Sequence, residues 1–503
     1  MSDRRWTTWT RWTIAGALGV AIGVGHAVGG AQEGHQVQSL TLQESIERAL
    51  SANLDVQIER VAPAISEWNI VSARGAFDPA LTGSISYEDA SEPLSPERQV
   101  SLGRDALESR ELRTDLSLTG TLPTGTHYDL SAFDTRTSGT LATSGVHIGT
   151  TGLTLTQPLL KNFGRSNTVA LRVARKDRQI ALEQTAGRVM DIVSEVSRAY
   201  YELMFAIEDH KAKREDLQRA KALVVDNRTR VEIGVMSPLD VTQADAGAAE
   251  REEAVIVAEQ AIIEADNALK RLIAADVTAL RGVSLHPAET LPDEPVSTDA
   301  VESARIALAR RPEVKQAQHE VQRRNLLRAF SRNQAWPQLD LQISYGFNAR
   351  GETSGRFADG LADREHRVWS VGVNATVPLG NRRADAADRI ARLEAERAAL
   401  SLRKLEQDIL VQVDNAVGQV RTNAKRVEAT RAARRLAEES LAAEESRLRA
   451  GTSTSFLVLQ AQSQLAAARS AAIRAQADYA ASLVALSRVE GTTLDKHHIE
   501  LDE

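Results

Sequence analysis

Cysteine is absent from the sequence, and aromatic residues make up only 4% of its 503 residues. Without cysteine the chain has no disulfide, no thiolate metal site, no cysteine nucleophile and no cysteine that could carry a lipid. Few aromatics, together with abundant alanine, glutamate, arginine and leucine, are typical of long helices that pack through small side chains. The composition therefore favours an extended helical assembly.

Strong charge of either sign is also missing, because the net charge is only −7 and the sequence contains no stripe of basic residues. We therefore expect no nucleic-acid partner. The ten histidines show no ligand spacing with carboxylates, and no glycine-rich phosphate loop follows a predicted strand. We expect no metal, no cofactor and no enzymatic activity.

Long apolar runs are confined to the N-terminus. Arg4, Arg5 and Arg11 precede a glycine- and alanine-rich apolar run over about 14–28, and small residues follow at 29–31. This pattern predicts a secretory signal peptide over 1–31, with a retained membrane anchor as the alternative. No later stretch reaches the ~18 apolar residues of a membrane helix. If the remaining chain crosses a membrane, we expect strands to do so.

The first half of the chain, over 39–275, reads as helix, strands and a long helical hairpin. Apolar residues spaced by fours predict a helix over about 39–74, begun by a Thr41–Glu44 capping box and with a kink or break at Pro63. Alternation over 77–158 predicts four strand segments, with a polar loop at 89–110 and a tight turn at 122–125. A long helical hairpin follows over 166–275.

The second half repeats this order. A proline-rich linker is predicted over 276–297, and a second repeat over 298–490. Its first helix breaks near Arg311 and Pro312, strands occupy 337–378 with a polar loop at 350–367, and a second hairpin occupies 381–490. A polar tail over 491–503 ends the chain.

Two gapless offsets reveal the duplication. A shift of 258 superposes Pro79 on Pro337 and Ile85-Ser86-Tyr87 on Ile343-Ser344-Tyr345. A shift of 217 superposes Gly234 on Gly451 and Gln243-Ala244 on Gln460-Ala461. Gln157-Pro158 likewise matches Val377-Pro378. The chain is therefore one helix–strands–long helix–hairpin unit written twice.

Each hairpin has a tip with the same local signals. The tips lie near 234–240 and 451–457, where a glycine that can take the left-handed conformation ends one helix and a Ser or Thr begins the next. Pro238 suits the first turn of the returning helix. In the second hairpin, apolar residues three or four apart predict a coiled-coil seam. Its members are Leu402, Leu405, Ile409, Val413, Ala416, Val420, Ala424 and Val427.

The strand segments pose a problem of closure. Four in the first half and two in the second would leave unpaired edges within one chain, whereas several chains side by side would close them. Aromatics including Tyr87, Tyr345 and Trp369 border these segments, which is typical of a membrane barrel with interfacial girdles. A soluble β-sandwich insertion is the alternative.

This arrangement resembles the TolC-like outer-membrane efflux protein family over everything after the signal peptide. The resemblance rests on the duplication and on Phe77-Asp78-Pro79, Trp336-Pro337, Thr156-Gln157-Pro158-Leu159-Leu160 before Phe163-Gly164, and the two tips. It implies a mainly α fold with β, in a homotrimer whose strands form one outer-membrane β-barrel continuous with a periplasmic α-helical coiled-coil barrel.

The resemblance also implies a function and partners. Members of the family are exit ducts of tripartite efflux or type I secretion systems, and they conduct substrates passively to the cell exterior. The implied partners are a periplasmic adaptor, an inner-membrane RND, ABC or MFS transporter, and outer-membrane lipid. An exported coiled-coil scaffold that forms no channel is the alternative function.

The same resemblance assigns roles to the tips. Eight residues are expected to dock onto the adaptor: Gly234, Val235, Met236, Ser237, Gly451, Thr452, Ser453 and Thr454. Three are expected at the pore constriction: Asp240, Leu457 and Gln460. The family carries two acidic residues three apart in its second tip, where this chain has Leu457 and Gln460. We therefore expect an apolar constriction at Leu457 or a ring formed by Asp240.

A second departure concerns the strand number. The family usually contributes two strands per repeat, whereas the first repeat here offers four segments. Either the barrel is larger or the additional hairpin folds outside it.

Overall fold

The computed structural model describes residues 36–140, 145–292, 294, 296–364 and 366–500. The predicted signal peptide over 1–31 lies outside the described residues. The fold is mainly helical with β-strands, and it repeats the order helix, strands, long helix, hairpin. The fold class predicted from the sequence is confirmed in this respect.

The first half contains two helices, a group of strands and a helical hairpin. Its elements in chain order are β1 (Gln36–Leu40), α1 (Leu42–Ala52), α2 (Leu54–Arg74), β2 (Ala80–Pro93), α3 (Pro96–Leu102), β3 (Ala106–Thr121), β4 (His127–Gly139), β5 (Val146–Pro158), α4 (Val169–Glu232) and α5 (Pro238–Ile273).

The second half follows the same plan with fewer strands. Its elements are β6 (Val283–Pro287), α6 (Ala300–Arg310), α7 (Pro312–Gln334), β7 (Gln338–Gly351), α8 (Ser354–Asp363), β8 (His366–Thr376), α9 (Arg382–Arg449), α10 (Ser455–Glu490) and α11 (Thr493–Lys496). In the part of the chain that is described, none of these helices combines the length and the apolar character that a membrane crossing requires.

The first helical region begins as expected but breaks elsewhere. The Thr41–Glu44 capping box is confirmed, with Thr41 N donating to Glu44 Oε2 at 3.0 Å. Of the kink or break predicted at Pro63, the break is wrong, because α2 continues through this residue and the helical region breaks at Asn53 instead. Proline cannot donate to the carbonyl four residues earlier, and that carbonyl, of Glu59, instead accepts from Thr185 Oγ1 at 3.3 Å.

Six strands form one antiparallel sheet in the order β2-β3-β4-β5-β7-β8. The β5–β7 pair joins the two repeats, with Leu153 opposite Tyr345. Two predictions of polar loops are wrong in part. Residues 89–110 include the end of β2, helix α3 and the start of β3, and residues 350–367 include α8.

The predicted linker over 276–297 is not purely a linker. It contains β6, which pairs in parallel with β1 to form a small second sheet. Leu285 N donates to the buried Asp266 carboxylate at 2.9 Å, which attaches this sheet to α5. The pairing joins residues about 250 positions apart, so no local pattern could indicate it.

The chain divides into two compact units, and each contains parts of both repeats. One comprises the described residues up to 63, residues 181–317 and those from 402 onward. The other comprises 64–180 and 318–401 and contains the whole six-stranded sheet. The sequence duplication is therefore not a division into two independent domains.

We call the unit without the six-stranded sheet the helical unit, and it has two main hydrophobic cores. The first gathers α1, α4, α5 and the small sheet, and includes the fully buried Tyr200 and Ile192. Leu494 and Ile499 also lie in it, so the tail predicted as merely polar is partly structural. The second core contains Ile409, Val413, Val420 and Val427 from the predicted seam of α9, which is confirmed.

Candidate functional site

The first tip joins α4 to α5 through a left-handed glycine. Gly234 has φ of 80°, and Val235 N donates to Arg230 O at 2.9 Å across the end of α4. This six-to-one bond satisfies a carbonyl that the helix end would leave unpaired. Ser237 then caps α5, and its own N–H donates to Asp240 Oδ2 at 3.1 Å. The turn is thus specified on both sides.

The second tip repeats the first helix ending but not the second cap. Gly451 has φ of 76°, and Thr452 N donates to Arg447 O at 2.9 Å. Thr454 begins α10 without a side-chain cap bond, while Ser453 Oγ donates to Glu444 Oε1. The acidic capping partner of the first tip therefore has no equivalent in the second.

Direct contacts hold the two tips together. The buried Asn227 Nδ2 donates to Ser455 Oγ at 2.5 Å and to Asp240 O at 3.2 Å, so one amide links both returning helices. Arg230 Nη1 also donates to Leu448 O at 3.2 Å. Beneath these bonds lies a small apolar cluster of Leu223, Leu441, Leu448, Val458, Ala461 and Leu465, against which Met236 packs. The two tips therefore form one continuous surface.

Most of the predicted docking residues are exposed on that surface. Six of the eight are exposed: Gly234, Val235, Ser237, Gly451, Thr452 and Thr454. Met236 and Ser453 are half-buried, because the former packs on the apolar cluster and the latter bonds to Glu444. These two residues support the surface more than they extend it.

Three apolar side chains at the tips were missed by the sequence reasoning. Ile233, Leu239 and Phe456 are 68%, 63% and 58% exposed, and they flank the glycines or open the returning helices. Exposed apolar groups beside a rigid turn are typical of an interaction surface. The sequence did contain a signal for two of them. Leu239 and Phe456 lie in the first turn after each cap, where a helix surrounded by water would carry polar residues.

The three predicted constriction residues differ in their surroundings. The Asp240 carboxylate accepts the Ser237 N–H and is half-buried, so it serves the helix cap. Leu457 is 43% exposed, and Gln460 is exposed on the same helix. Of the three, only Leu457 presents an apolar group to solvent at the tip.

The second candidate site is one face of the six-stranded sheet. A row of opposed residues crosses all six strands, from Leu81 through Leu118, Leu130, Leu153 and Tyr345 to Trp369. Twelve large apolar side chains on this face are between 39% and 76% exposed, whereas Leu118 is half-buried. We call this the apolar face, and its exposed large members are Leu81, Ile85, Tyr87, Leu112, Leu116, Leu130, Leu153, Ile343, Tyr345, Trp369, Val371 and Val373.

The opposite face of the sheet is mostly polar. Arg113 pairs with Asp115 at 2.8 Å, and Ser344 Oγ lies 2.7 Å from Ser370 Oγ. Thr150 Oγ1 donates to Asn348 Oδ1 at 2.7 Å. Phe133, Ile148 and Val368 are apolar exceptions on this face. A sheet with one apolar and one polar face suits a boundary between lipid and water.

Two long helical hairpins with paired tips, and one amphipathic sheet to which both repeats contribute, define the class of outer-membrane channel folds. The chain belongs to the outer membrane efflux protein family, whose model matches residues 45–275 and 304–492. No curated protein matches the chain.

Solved structures share the fold at low sequence identity. The CmeC outer membrane channel of Campylobacter jejuni has a TM-score of 0.65 and 16% identity, with 90% of this chain and 86% of that chain covered. The outer membrane protein VceC of Vibrio cholerae has a TM-score of 0.63 and 18% identity, covering 90% and 96%. The MtrE outer membrane channel of Neisseria gonorrhoeae, in its open state, has a TM-score of 0.62 and 18% identity, covering 90% and 89%.

Proposed function

We propose that this outer-membrane efflux protein is the exit duct of a tripartite efflux or type I secretion system. It works as a homotrimer that conducts substrates passively from an inner-membrane pump to the cell exterior. The observation that carries the proposal is the exposed apolar face, which crosses all six strands of the sheet. Such a surface is costly in water and stabilising in lipid.

The hairpin tips are proposed to dock onto a periplasmic adaptor, which connects the duct to an RND, ABC or MFS transporter. Gly234 and Gly451 leave the tip backbone uncovered, because no heavy atom lies within 4 Å of the position a Cβ would take. Val235, Thr452 and Phe456 add exposed side chains around them. A partner's helical hairpin could approach this surface closely.

Closure of the duct is proposed to depend on Leu457 rather than on an acidic pair. Asp240 is engaged in a cap, whereas Leu457 is 43% exposed and apolar. Three leucines around a narrow pore would exclude water and ions. Replacing Leu457 with Ser should raise the single-channel conductance in planar bilayers. Phe456→Ser, which removes an exposed apolar side chain in the same turn, is the matched control. Equal conductance of wild type and Leu457→Ser would count against an apolar constriction.

Fractionation of cells that express the full chain tests the proposal as a whole. We expect the protein in the outer-membrane fraction, where detergent should extract it as a trimer by light scattering. Recovery as a soluble monomer from the periplasm would overturn the channel function and favour the scaffold alternative.

A further inference from the structure

The sheet contains a hairpin that the internal duplication does not account for. Ile85-Ser86-Tyr87 of β2 matches Ile343-Ser344-Tyr345 of β7, and Pro158 at the end of β5 matches Pro378 just after β8. The strands β2 and β5 therefore correspond to β7 and β8, which pair directly with each other. In the first repeat, β3 and β4 lie between them.

The additional hairpin is a full part of the sheet. The β2–β3 pair extends from Ala80–Thr119 to Pro93–Ala106, and the β4–β5 pair from His127–Thr156 to Thr137–Val146. The apolar face also continues through the hairpin, with Leu112, Leu116 and Leu130 exposed between Leu81 and Leu153. A hairpin folded outside a barrel wall would not need to pair with β2 and β5 along its whole length, and it would not need to continue their apolar face.

From these observations we propose that three copies of the chain close an eighteen-stranded barrel, in which β2 of each copy pairs with β8 of the next. This inference rests on the proposed trimeric channel and extends it. Each chain brings six strands, whereas direct β2–β5 pairing would leave four per chain and twelve in the barrel. Barrel diameter grows roughly linearly with strand number, so the proposed lumen is about 1.5 times wider than a twelve-stranded one.

The two free edges have the geometry that closure needs. Neighbouring strands are antiparallel throughout, and because their number is even, β2 and β8 run in opposite directions. A ring of copies therefore continues the antiparallel pattern across each seam. Ile85 is 76% exposed on β2 and Trp369 is 66% exposed on β8, and both lie on the apolar face. Pairing the edges would join their apolar faces into one band.

The stagger of the apolar band also fits a closed barrel. The exposed apolar residues of the apolar face form a band, and on β2 the centre of this band is near Ser84. The residue paired with Ser84, followed from strand to strand across the sheet, is His366 on β8. The band on β8 is instead centred near Val371, between Trp369 and Val373. It therefore shifts by about one residue per strand, which at ~3.3 Å per residue and ~4.8 Å between strands gives a tilt of about 35°. Membrane barrels have strand tilts of roughly 35–45°.

Engineered cysteine pairs test both the seam and the strand number, because the native chain contains no cysteine. At the seam, the centre of the apolar band on β8 should lie beside its centre on β2, and the polar faces of the two strands should point the same way. Ser370 of one copy then lies opposite Ser84 or Ser86 of the next copy. The double variants Ser84→Cys/Ser370→Cys and Ser86→Cys/Ser370→Cys cover these two registers. Within one chain these positions are separated by five strand spacings, roughly 24 Å, whereas a disulfide needs Cα atoms within about 7 Å.

Two further variants distinguish eighteen strands from twelve. Thr82 and Ser117 are opposed in the β2–β3 pair and lie on the polar face, so Thr82→Cys/Ser117→Cys should form a disulfide within the chain. In a twelve-stranded barrel β2 would pair with β5 as β7 pairs with β8, where Ser344 opposes Ser370. In the first repeat, the residues that correspond to Ser344 and Ser370 are Ser86 and Thr150. A disulfide in Ser86→Cys/Thr150→Cys would therefore show that β2 pairs directly with β5.

Each variant of the full-length chain is oxidised in isolated outer membranes and run on a denaturing gel with and without reductant. We expect covalent trimers from at least one seam variant, an intrachain disulfide from Thr82→Cys/Ser117→Cys, and none from Ser86→Cys/Thr150→Cys. An Ile85→Cys/Ser370→Cys variant, with its thiols on opposite faces, is the control that should stay uncrosslinked.

The outcomes separate this inference from the proposed function. A membrane trimer in which Ser86→Cys/Thr150→Cys forms a disulfide and Thr82→Cys/Ser117→Cys does not overturns the eighteen-stranded barrel and leaves the channel standing. A trimer without any seam disulfide overturns the β2–β8 pairing alone. A monomer by light scattering overturns the proposed function and this inference together.

Discussion

At Gly451 the backbone conformation, rather than the available space, requires glycine. Its φ of 76° is left-handed, yet a Cβ would meet no atom within 4 Å. Gly418 offers the matched case, since it lies inside α9, is exposed and also has open space around it, but is helical. The two glycines separate conformational strain from packing.

We predict opposite effects for alanine at these two positions. Gly451→Ala should destabilise the second tip by about 1–2 kcal/mol, because a side chain disfavours the left-handed region. Gly418→Ala should stabilise α9 by roughly 0.5–1 kcal/mol, because a mid-helix glycine loses more conformational freedom on folding. Hydrogen exchange of the amides near each site measures both effects. Unchanged protection at the tip of Gly451→Ala would contradict the prediction.

Glu313 lies between two guanidinium groups, those of Arg311 and Arg488. It accepts from Arg488 Nη2 at 2.6 Å and from Arg311 Nε at 3.2 Å, while Arg488 Nε also donates to Asp191 at 2.5 Å. Partial burial alone would raise the pKa of Glu313, but the hydrogen bonds from the two guanidinium groups outweigh it and lower the pKa to about 2. The charged form is thus stabilised by folding.

The stability that Glu313 contributes should be lost in acid. Because its folded pKa lies below its usual value, this stability is fully present above about pH 4.5 and disappears as the pH falls towards about 2. Glu313→Gln should therefore melt below wild type at pH 7, with the difference shrinking on acidification. Thermal unfolding from pH 7 to 3 measures it. Glu302→Gln, which alters an exposed carboxylate paired with Arg305, should behave almost as wild type at every pH.

Among the elements, α9 shows how a helix of 68 residues is fixed along one side. Ile409 and Val413 are fully buried, and both pack in the core that also contains Tyr479 of α10 and Ala307 of α6. The seam repeats every three or four residues, so each apolar side chain returns to the same face. A cavity at its centre should weaken the contact between α9 and both neighbours.

Ile409→Ala should lower the unfolding free energy by about 2–5 kcal/mol, whereas Ile409→Val should cost only about 0.5–1.5 kcal/mol. The difference reflects the larger cavity that alanine leaves in a site with no exposed surface. Denaturant unfolding of the purified protein gives both values. Equal losses for the two variants would argue against cavity formation as the cause.

Elements specified by local signals could be predicted, and those that depend on distant partners could not. Capping residues and left-handed glycines located the tips, and the three-four spacing located the α9 seam. The β1–β6 pair depends on a partner about 250 residues away, and the Glu59 carbonyl that Pro63 cannot pair accepts from Thr185, 126 positions away. Helix α3 is different, because Ser95, Pro96 and Gly103 are ordinary start and stop signals that the reading of a polar loop overlooked.

The candidate site divides in the same way. The tip turns follow from sequence, since Gly234 and Gly451 have the backbone conformation that the pattern indicates. The contact of Asn227 with Ser455 could not be predicted, because it joins the two hairpins across 228 positions. The capping bond that Asp240 accepts follows from the Ser237 spacing and could have been predicted.

For the whole molecule, the decisive property is which solvent the apolar face of the sheet meets. In water its exposed leucines, valines and aromatics would favour aggregation, whereas in lipid they would be stabilising. The neighbouring residues Leu116 and Ser117 sit on opposite faces of β3, so one substitution can be placed on either face at the same depth.

Leu116→Arg should therefore prevent insertion, while Ser117→Arg should be tolerated. Arginine on the lipid side of a barrel costs roughly 2–4 kcal/mol near the bilayer midplane, whereas the lumen side remains in contact with water. The readout is the yield of detergent-extracted trimer from the outer membrane, with total expression of each variant as the control. If the sheet faced water on both sides, arginine at the 52% exposed Leu116 would be harmless and would improve solubility. Equal yields for the two variants would thus exclude a lipid-facing sheet.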